Sequence, residues 1–169
     1  MKYRDIKRHL APYSICAKRK TTINHAFASS IAPCDIFQDE LVRQAITDLG
    51  QDPSSDLQCV YCGAPAETWD HVFATVEKSE FNGAGHRLGN LLPCCKPCNS
   101  RKGNKAWDTY VDSLTMRGSE KAKRKRIIAD YLAKYFRRDA IQRELPEYRQ
   151  LMALRDQIIK AMHEADIIE

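Results

Sequence analysis

Two Cys-x-x-Cys pairs, Cys59/Cys62 and Cys95/Cys98, constrain this chain more than any other feature of its sequence. Zinc prefers four soft ligands in a tetrahedron, and two such pairs a few tens of residues apart can supply them. Pro97 lies inside the second pair, which suits the first turn of a helix, where a missing N–H costs nothing. We therefore predict a structural Zn²⁺ site. Ordinary buried cysteines or a redox motif are the alternatives.

Cys94 is not expected to be a metal ligand, because Cys95 has the right spacing to Cys98. The cysteine count also indicates the cellular compartment of the protein. Seven cysteines, an odd number with four in metal-knuckle spacing, indicate a reducing compartment rather than a disulfide scaffold. No apolar run approaches the length of a membrane span, and the N-terminal residues lack the apolar centre of a secretory signal. We expect a cytoplasmic protein with no membrane partner.

Polar residues between and just after the cysteine pairs suggest a catalytic site. Hydrolysis of a phosphodiester needs a base that deprotonates water and a cation that neutralises phosphate charge. His71, with an ordinary pKa of about 6.5, is the natural base. Asp70 is a hard oxygen ligand suited to Mg²⁺ or Mn²⁺, and Asn99 could complete the coordination from a helix. Because adjacent strand residues point to opposite faces, Asp70 and His71 share a site only if the strand ends or bends there.

This set of motifs resembles that of the zinc-stabilised HNH nucleases and is similar to that of small HNH restriction endonucleases. The resemblance covers residues 59–107, and the matching positions are Asp70-His71, Asn90, Cys95-x-x-Cys98-Asn99 and Lys102-Gly103. It implies an α+β fold: a small ββα-metal, treble-clef-like core clipped by zinc and flanked by N- and C-terminal helices.

The resemblance also implies a role for each catalytic position. His71 corresponds to the general base. Asp70 and Asn99 correspond to ligands of one catalytic Mg²⁺ or Mn²⁺. Asn90 corresponds to the central Asn, whose side chain ties down the loop between the strands and so holds His71 in place. The third family position is often His, and Asn99 is a variant that favours hard ions.

The chain divides into three expected segments. Residues 1–55 form a helical N-terminal extension that is basic at its start. Residues 56–108 form the nuclease core with its four-cysteine zinc site. Residues 109–169 form a helical C-terminal region that is again basic at its start. Apolar residues at helical spacing within 127–136 and 148–162 predict the helices of this last segment.

Several local features follow from the same patterns. Residues 21–33 are uncharged and rich in small side chains, which we interpret as a connector. The next helix is expected to be capped by Asp35 and to bury an apolar face within 37–49. The site helix is expected to run from Cys95 to Lys105 or Trp107. Trp69 and Trp107 flank the motif and are expected to be packing residues rather than functional ones, each placed against the small domain from outside.

The net charge of +5 is unevenly distributed. Residues 1–20 and 101–126 are rich in Lys and Arg, whereas residues 35–80 contain more acidic than basic side chains. Two basic blocks that flank an acidic middle are typical of a phosphate-binding surface, although a solvated helix face is the alternative for residues 121–126. The predicted DNA-binding residues are Arg101, Lys102, Lys105, Lys121, Lys123, Arg124, Lys125 and Arg126.

Together these features predict a metal-dependent DNA endonuclease that hydrolyses phosphodiester bonds, and a restriction or defence role. One alternative is a non-catalytic zinc-knuckle protein that binds nucleic acid, although binding alone gives no reason to combine Asp70-His71 with Asn90 and Asn99. Another is an HNH homing or nicking nuclease. Cutting both strands of a symmetric site would suit a homodimer. His86 could contact DNA or assist the metal, and an ordinary polar loop residue is the first interpretation.

Overall fold

The computed structural model describes residues 10, 12–77, 80–140 and 143–168. Over these ranges the chain forms six α-helices and two small antiparallel sheets, which confirms the predicted α+β class. The elements in chain order are α1 (Ile15–Ser30), α2 (Asp39–Asp48), β1 (Thr68–His71), β2 (Val76–Glu77), β3 (Glu80–Phe81), β4 (Leu91–Cys94), α3 (Lys96–Lys102), α4 (Trp107–Ser113), α5 (Gly118–Tyr135) and α6 (Pro146–Ala165). Residues 1–9, which hold part of the predicted basic start, lie outside the described residues.

Two strands and a helix form the unit that carries the predicted site. β1 pairs antiparallel with β4, so that Asp70 lies opposite Leu92 and His71 opposite Leu91. A 3₁₀ turn at Leu88–Asn90 leads into β4, and α3 follows β4 directly and packs against β1. The loop predicted between the two strands contains the short hairpin β2–β3.

One apolar core packs against this unit. It includes buried residues of α2, the first cysteine knuckle, β4, α4 and α5. Tyr61, Leu92, Val111, Ile128 and Tyr131 are almost completely buried in it. Because the core also includes Ala45 and Ile46 of α2, it joins all three segments of the chain, and the flanking helices pack against the strand unit and the knuckle.

A helix replaces the connector that the sequence predicted for residues 21–33, so that prediction was wrong. α1 begins after Ser14, whose side chain accepts a hydrogen bond from Ala17 N. No Gly or Pro occurs between Ile15 and Ser30, and a run of small residues without those two is compatible with a helix. α1 packs along α6 and against the β2–β3 hairpin.

Asp35 does not cap α2, because Gln38 occupies the N-cap position. The Asp35 carboxylate instead accepts a hydrogen bond of 2.9 Å from Leu88 N, at the turn before β4. The segment between α1 and α2 is therefore bonded to the strand unit. The predicted apolar face of α2 is confirmed at Ala45, Ile46 and Leu49, which are buried, but it was wrong at Phe37 and Leu41, which are exposed.

The site helix is shorter than predicted. α3 ends at Lys102 because Gly103 adopts φ of +49°, a left-handed value that favours glycine, and the Gly103 N–H bonds to Asn99 O. Trp107 begins α4 rather than ending α3. Over the described ranges, every helix is too short or too polar to cross a lipid bilayer.

Candidate functional site

The two cysteine pairs converge on one point beside the β1–β4 pair. The Sγ atoms of Cys59, Cys62, Cys95 and Cys98 all lie within 4.8 Å of one another, and the Cys62 and Cys95 Sγ atoms are 3.7 Å apart. Zn–S bonds of about 2.3 Å in a tetrahedron place the sulfurs about 3.8 Å apart. The four thiols therefore fit a metal ion such as Zn²⁺, as the sequence predicted.

The surroundings of the thiols also suit a bound metal. Cys94 lies outside the group of four, as predicted, and its Sγ is 3.9 Å from Cys59 Sγ. Hydrogen bonding to Cys94 and to backbone N–H groups lowers the pKa of the Cys59 thiol to about 4, whereas burial raises the pKa of Cys62 and of Cys98. Metal binding removes the protons from such thiols, because the thiolate is the ligand.

A buried hydroxyl gives a second, independent sign of this metal centre. Tyr110 Oη has no hydrogen-bonded oxygen or nitrogen partner in the described part of the chain. Burial, and then interaction with the Cys98 thiol, raises the pKa of Tyr110. A hydroxyl that faces a metal-bound thiolate can donate its hydrogen to the sulfur, as the outer groups of metal sites commonly do.

A cleft of about 220 Å³ lies next to β1 and is lined by Trp69, Asp70, His71 and Asn99, with His25 of α1 at its side. The structure thus places the predicted base and both predicted cation ligands around one space. Trp69 is 44% exposed and lines the cleft, so it is not simply a packing residue, whereas Trp107 is partly buried against the core as predicted. Successive residues of a strand face opposite sides, so Trp69 and buried Asp70 lie on opposite sides of β1, and the strand ends at His71.

The Asp70 carboxylate is buried among partners from both cysteine knuckles. Its Oδ2 accepts a hydrogen bond of 2.6 Å from Tyr61 Oη and lies 3.1 Å from Lys102 Nζ. Tyr61 belongs to the first knuckle, and Lys102 ends the helix that carries Cys98. Burial is the main influence and raises the pKa of Asp70, while Tyr61 and Lys102 act in the opposite direction.

Lys102 is an internal counter-ion rather than a surface cation. Its side chain is 1% exposed, and Nζ donates to Asp70 and, at 2.9 Å, to His71 O. An ammonium group that is enclosed in this way cannot reach a DNA phosphate. The prediction that Lys102 binds DNA was therefore wrong.

The donor set of the cleft is compatible with Mg²⁺. This ion keeps several of its waters and is bound through one or two protein oxygens together with substrate phosphates. Asp70 and Asn99 both line the cleft, and they are of the carboxylate and amide types that this ion accepts, but the Asp70 side chain is 3% exposed and its oxygens contact Tyr61 and Lys102. Because Lys102 already balances the charge of Asp70, a cation bound there would compete with the ammonium group.

Asn90 holds the loop that follows β1. Its Oδ1 accepts a hydrogen bond from Phe73 N, and its Nδ2 donates to Phe73 O and to Gly85 O, at distances of 2.9, 3.0 and 3.0 Å. Asn90 is 1% exposed. Its amide therefore connects the residues after His71 to the residues before β4, without reaching the cleft.

His86 has a specific contact that the sequence analysis missed. Its Nδ1 lies 2.9 Å from His71 Nε2, and the two rings meet edge to face at 74°. Burial, His86 and Lys102 together lower the pKa of His71. The interpretation of His86 as an ordinary loop residue was wrong. No spacing or periodicity in the sequence signals this contact.

The other predicted DNA-binding residues divide into two groups. Arg124 donates to Val60 O in the first knuckle, Lys121 donates to Asp112 O, and Lys125 pairs with Asp112. These three side chains have structural partners. The exposed members of the predicted set are Arg101, Lys105, Lys123 and Arg126.

No protein-family model, curated protein or solved structure matches this chain. The interpretation of the site therefore rests on its residues and their geometry.

Proposed function

We propose that the protein is a metal-dependent DNA endonuclease of the HNH type, with β1, β4 and α3 as a zinc-clipped ββα-metal core. The observation that carries this proposal is the shared cleft of His71, Asp70 and Asn99. A histidine base beside a carboxylate and an amide is the set that phosphodiester hydrolysis needs.

In this mechanism, neutral His71 removes a proton from a water molecule, which attacks the scissile phosphorus in line. A divalent cation held by Asp70 and Asn99 supplies, when bound, charge neutralisation at the phosphate and at the departing 3′ oxygen. Asn90 fixes the loop after His71 through its bonds to Phe73 and Gly85. The products are 5′ phosphate and 3′ hydroxyl ends, as the family resemblance implies.

Substrate contacts come from groups that remain accessible. Arg101, Lys105, Lys123 and Arg126 offer exposed cations for backbone phosphates, which give affinity without sequence information. Trp69 exposes an aromatic face at the mouth of the cleft, on which a base can stack. A restriction or defence role, action as a homodimer, and a homing or nicking role are narrower proposals within the same activity.

One observation favours a second candidate function, a non-catalytic zinc-knuckle protein that binds nucleic acid. Asp70, the carboxylate proposed to bind the catalytic cation, is already paired with Lys102 and bonded to Tyr61. A protein that only binds DNA needs no free carboxylate in the cleft. The two functions differ in whether phosphodiester bonds are cleaved.

Cleavage of a supercoiled plasmid by zinc-loaded protein with Mg²⁺ tests the proposal. Wild type is expected to cut, and His71→Ala to lose about 10²-fold or more in rate, since a base typically contributes 10²–10⁴-fold. His163→Ala is the control, because His163 contacts Cys16 on α1 and lies outside the cleft. Equal DNA binding without cutting by wild type and His71→Ala would support the zinc-knuckle alternative.

A further inference from the structure

The contact between His71 and His86 restricts which nitrogen of His71 can act. The two nitrogens that meet, His71 Nε2 and His86 Nδ1, are 2.9 Å apart, within hydrogen-bond distance. A neutral imidazole has one N–H donor and one acceptor nitrogen. One of the two rings must therefore donate and the other accept.

Only one of the two arrangements leaves His71 able to take a proton. If His71 Nε2 accepts from His86, then His71 Nδ1 carries the hydrogen and both nitrogens are occupied. If His71 Nε2–H donates to His86 Nδ1, then His71 Nδ1 has a free lone pair. The hydrogen bond made by one ring nitrogen commonly sets the state of the other in this way.

We infer that His86 is a positioning residue for the proposed base: its Nδ1 accepts the Nε2–H of His71 and holds His71 in the tautomer whose Nδ1 removes the proton from water. The inference rests on the proposed function for the role of His71. The tautomer itself is a property of the resting protein and is independent of any activity.

The backbone of His86 is fixed by the segment between α1 and α2. His86 N donates to Pro33 O at 2.8 Å, and Asp35 N donates to His86 O at 3.3 Å. Gly85 allows the close approach, since any side chain there would collide with Pro33 O. Asp35 also bonds to Leu88 N. The segment between α1 and α2 thereby sets the position of His86.

Two substitutions separate positioning from simple packing. His86→Asn keeps an acceptor, because the Asn Oδ1 atom occupies nearly the position of the His Nδ1 atom. His86→Leu keeps side-chain volume but has no acceptor. Zinc content and thermal unfolding of each variant show whether it is folded. The folded variants are then compared in kcat and KM for plasmid cleavage.

The first readout is ¹⁵N NMR of the zinc-loaded full chain without Mg²⁺, at a pH where the imidazoles are neutral. The expected spectrum shows the hydrogen of His71 on Nε2 in wild type and in His86→Asn, and a mixture of tautomers in His86→Leu. A wild-type His71 with its hydrogen on Nδ1 would overturn the inference. This readout stands even if His86→Leu does not fold.

The second readout is kinetic. We expect His86→Leu to lower kcat by at least about tenfold with little change in KM, and His86→Asn to recover most of the loss. Wild-type kcat in His86→Leu, or equally slow cleavage by both variants, would overturn the inference. If wild type shows the expected tautomer but cuts no DNA, the proposed function fails while the positioning contact stands.

Discussion

Asp70 is a buried carboxylate whose state depends on Lys102. Both side chains are almost completely buried, at 3% and 1% exposure. Removing one partner of a buried ion pair leaves the other charge uncompensated, which costs about 3–5 kcal/mol. Lys102→Met is therefore expected to lower the free energy of unfolding by about that amount, measured by urea denaturation of zinc-loaded protein.

Two variants control the Lys102→Met experiment. Lys105→Met changes an exposed lysine in the same stretch and is expected to alter stability by less than about 0.5 kcal/mol. The double variant Asp70→Asn/Lys102→Met removes both charges and is expected to recover part of the loss. Equal stability of Lys102→Met and Lys105→Met would show that the Asp70–Lys102 pair does not contribute this free energy of unfolding.

His71 sets the expected pH dependence of cleavage. Its neutral form is the proposed base, so we expect activity above its pKa and a loss of activity as the pH falls through that pKa. Burial, His86 and Lys102 all lower this pKa, and His25 also lines the cleft. The acid limb of kcat/KM is therefore expected below the ordinary value of about 6.5. A pH profile without an acid limb would argue against His71 as the base.

At the scale of elements, the 3₁₀ turn before β4 packs tightly on the end of α5. A Cβ at Gly89 would lie 2.2 Å from Tyr135 O, and Tyr131 Oη donates to Leu91 O at 3.1 Å. Gly89→Ala must therefore separate α5 from the turn that carries Asn90. We expect a loss of about 1–3 kcal/mol or more in the free energy of unfolding.

Gly118→Ala is the matched control for Gly89→Ala. A Cβ at Gly118, the first residue of α5, meets nothing within 4 Å. Alanine there is expected to be neutral or slightly stabilising, since it restricts the unfolded chain. Thermal unfolding of both variants makes the comparison. A Gly89→Ala variant as stable as Gly118→Ala would contradict the tight packing.

The elements also show which parts of the fold could be predicted from sequence patterns. Each cysteine pair is a local motif with fixed spacing, so the four-cysteine centre could be predicted. The end of α3 at Gly103 was missed although the glycine is visible in the sequence. α1 was missed because its small uncharged residues form no apolar face, and its packing on α6 depends on contacts between distant parts of the chain.

The candidate cleft could be predicted only in part for the same reason. Asp70, His71 and Asn99 were identified from their motif positions, and the structure brings them to one cleft. The burial of Lys102 and the contact of His71 with His86 are tertiary properties. Neither has a periodicity or spacing that a single sequence displays, and the state of Asp70 and His71 depends on both.

At the scale of the whole molecule, the four cysteines join the first knuckle to α3, and we expect a metal ion bound by them to stabilise the small core. Structural zinc typically contributes about 10–16 kcal/mol to the folding of small domains. Zinc removal by a chelator is therefore expected to unfold the strand unit cooperatively, as seen by near-UV circular dichroism, and zinc addition to restore it. A chelated protein with an unchanged spectrum would contradict this role.

A pair of cysteine variants localises the zinc effect. Cys98→Ser removes a ligand of the group of four and is expected to lose stoichiometric zinc. Cys34→Ser changes an exposed cysteine outside that group and is expected to retain it. Zinc content of the purified proteins is the measurement. Loss of zinc from both variants, or from neither, would place the metal elsewhere.

We propose that the cleft of His71, Asp70 and Asn99 performs metal-dependent cleavage of DNA. The most direct measurement is single-turnover cleavage of supercoiled plasmid by zinc-loaded protein across a Mg²⁺ titration. Asn99→Ala is compared with Gln150→Ala, which removes an exposed amide on α6.

We predict Mg²⁺-dependent cleavage by wild type and Gln150→Ala, and a loss of at least about tenfold in Asn99→Ala that higher Mg²⁺ partly restores. If wild type binds the DNA but does not cleave it with Mg²⁺, Mn²⁺ or Ni²⁺, the proposed nuclease activity is contradicted.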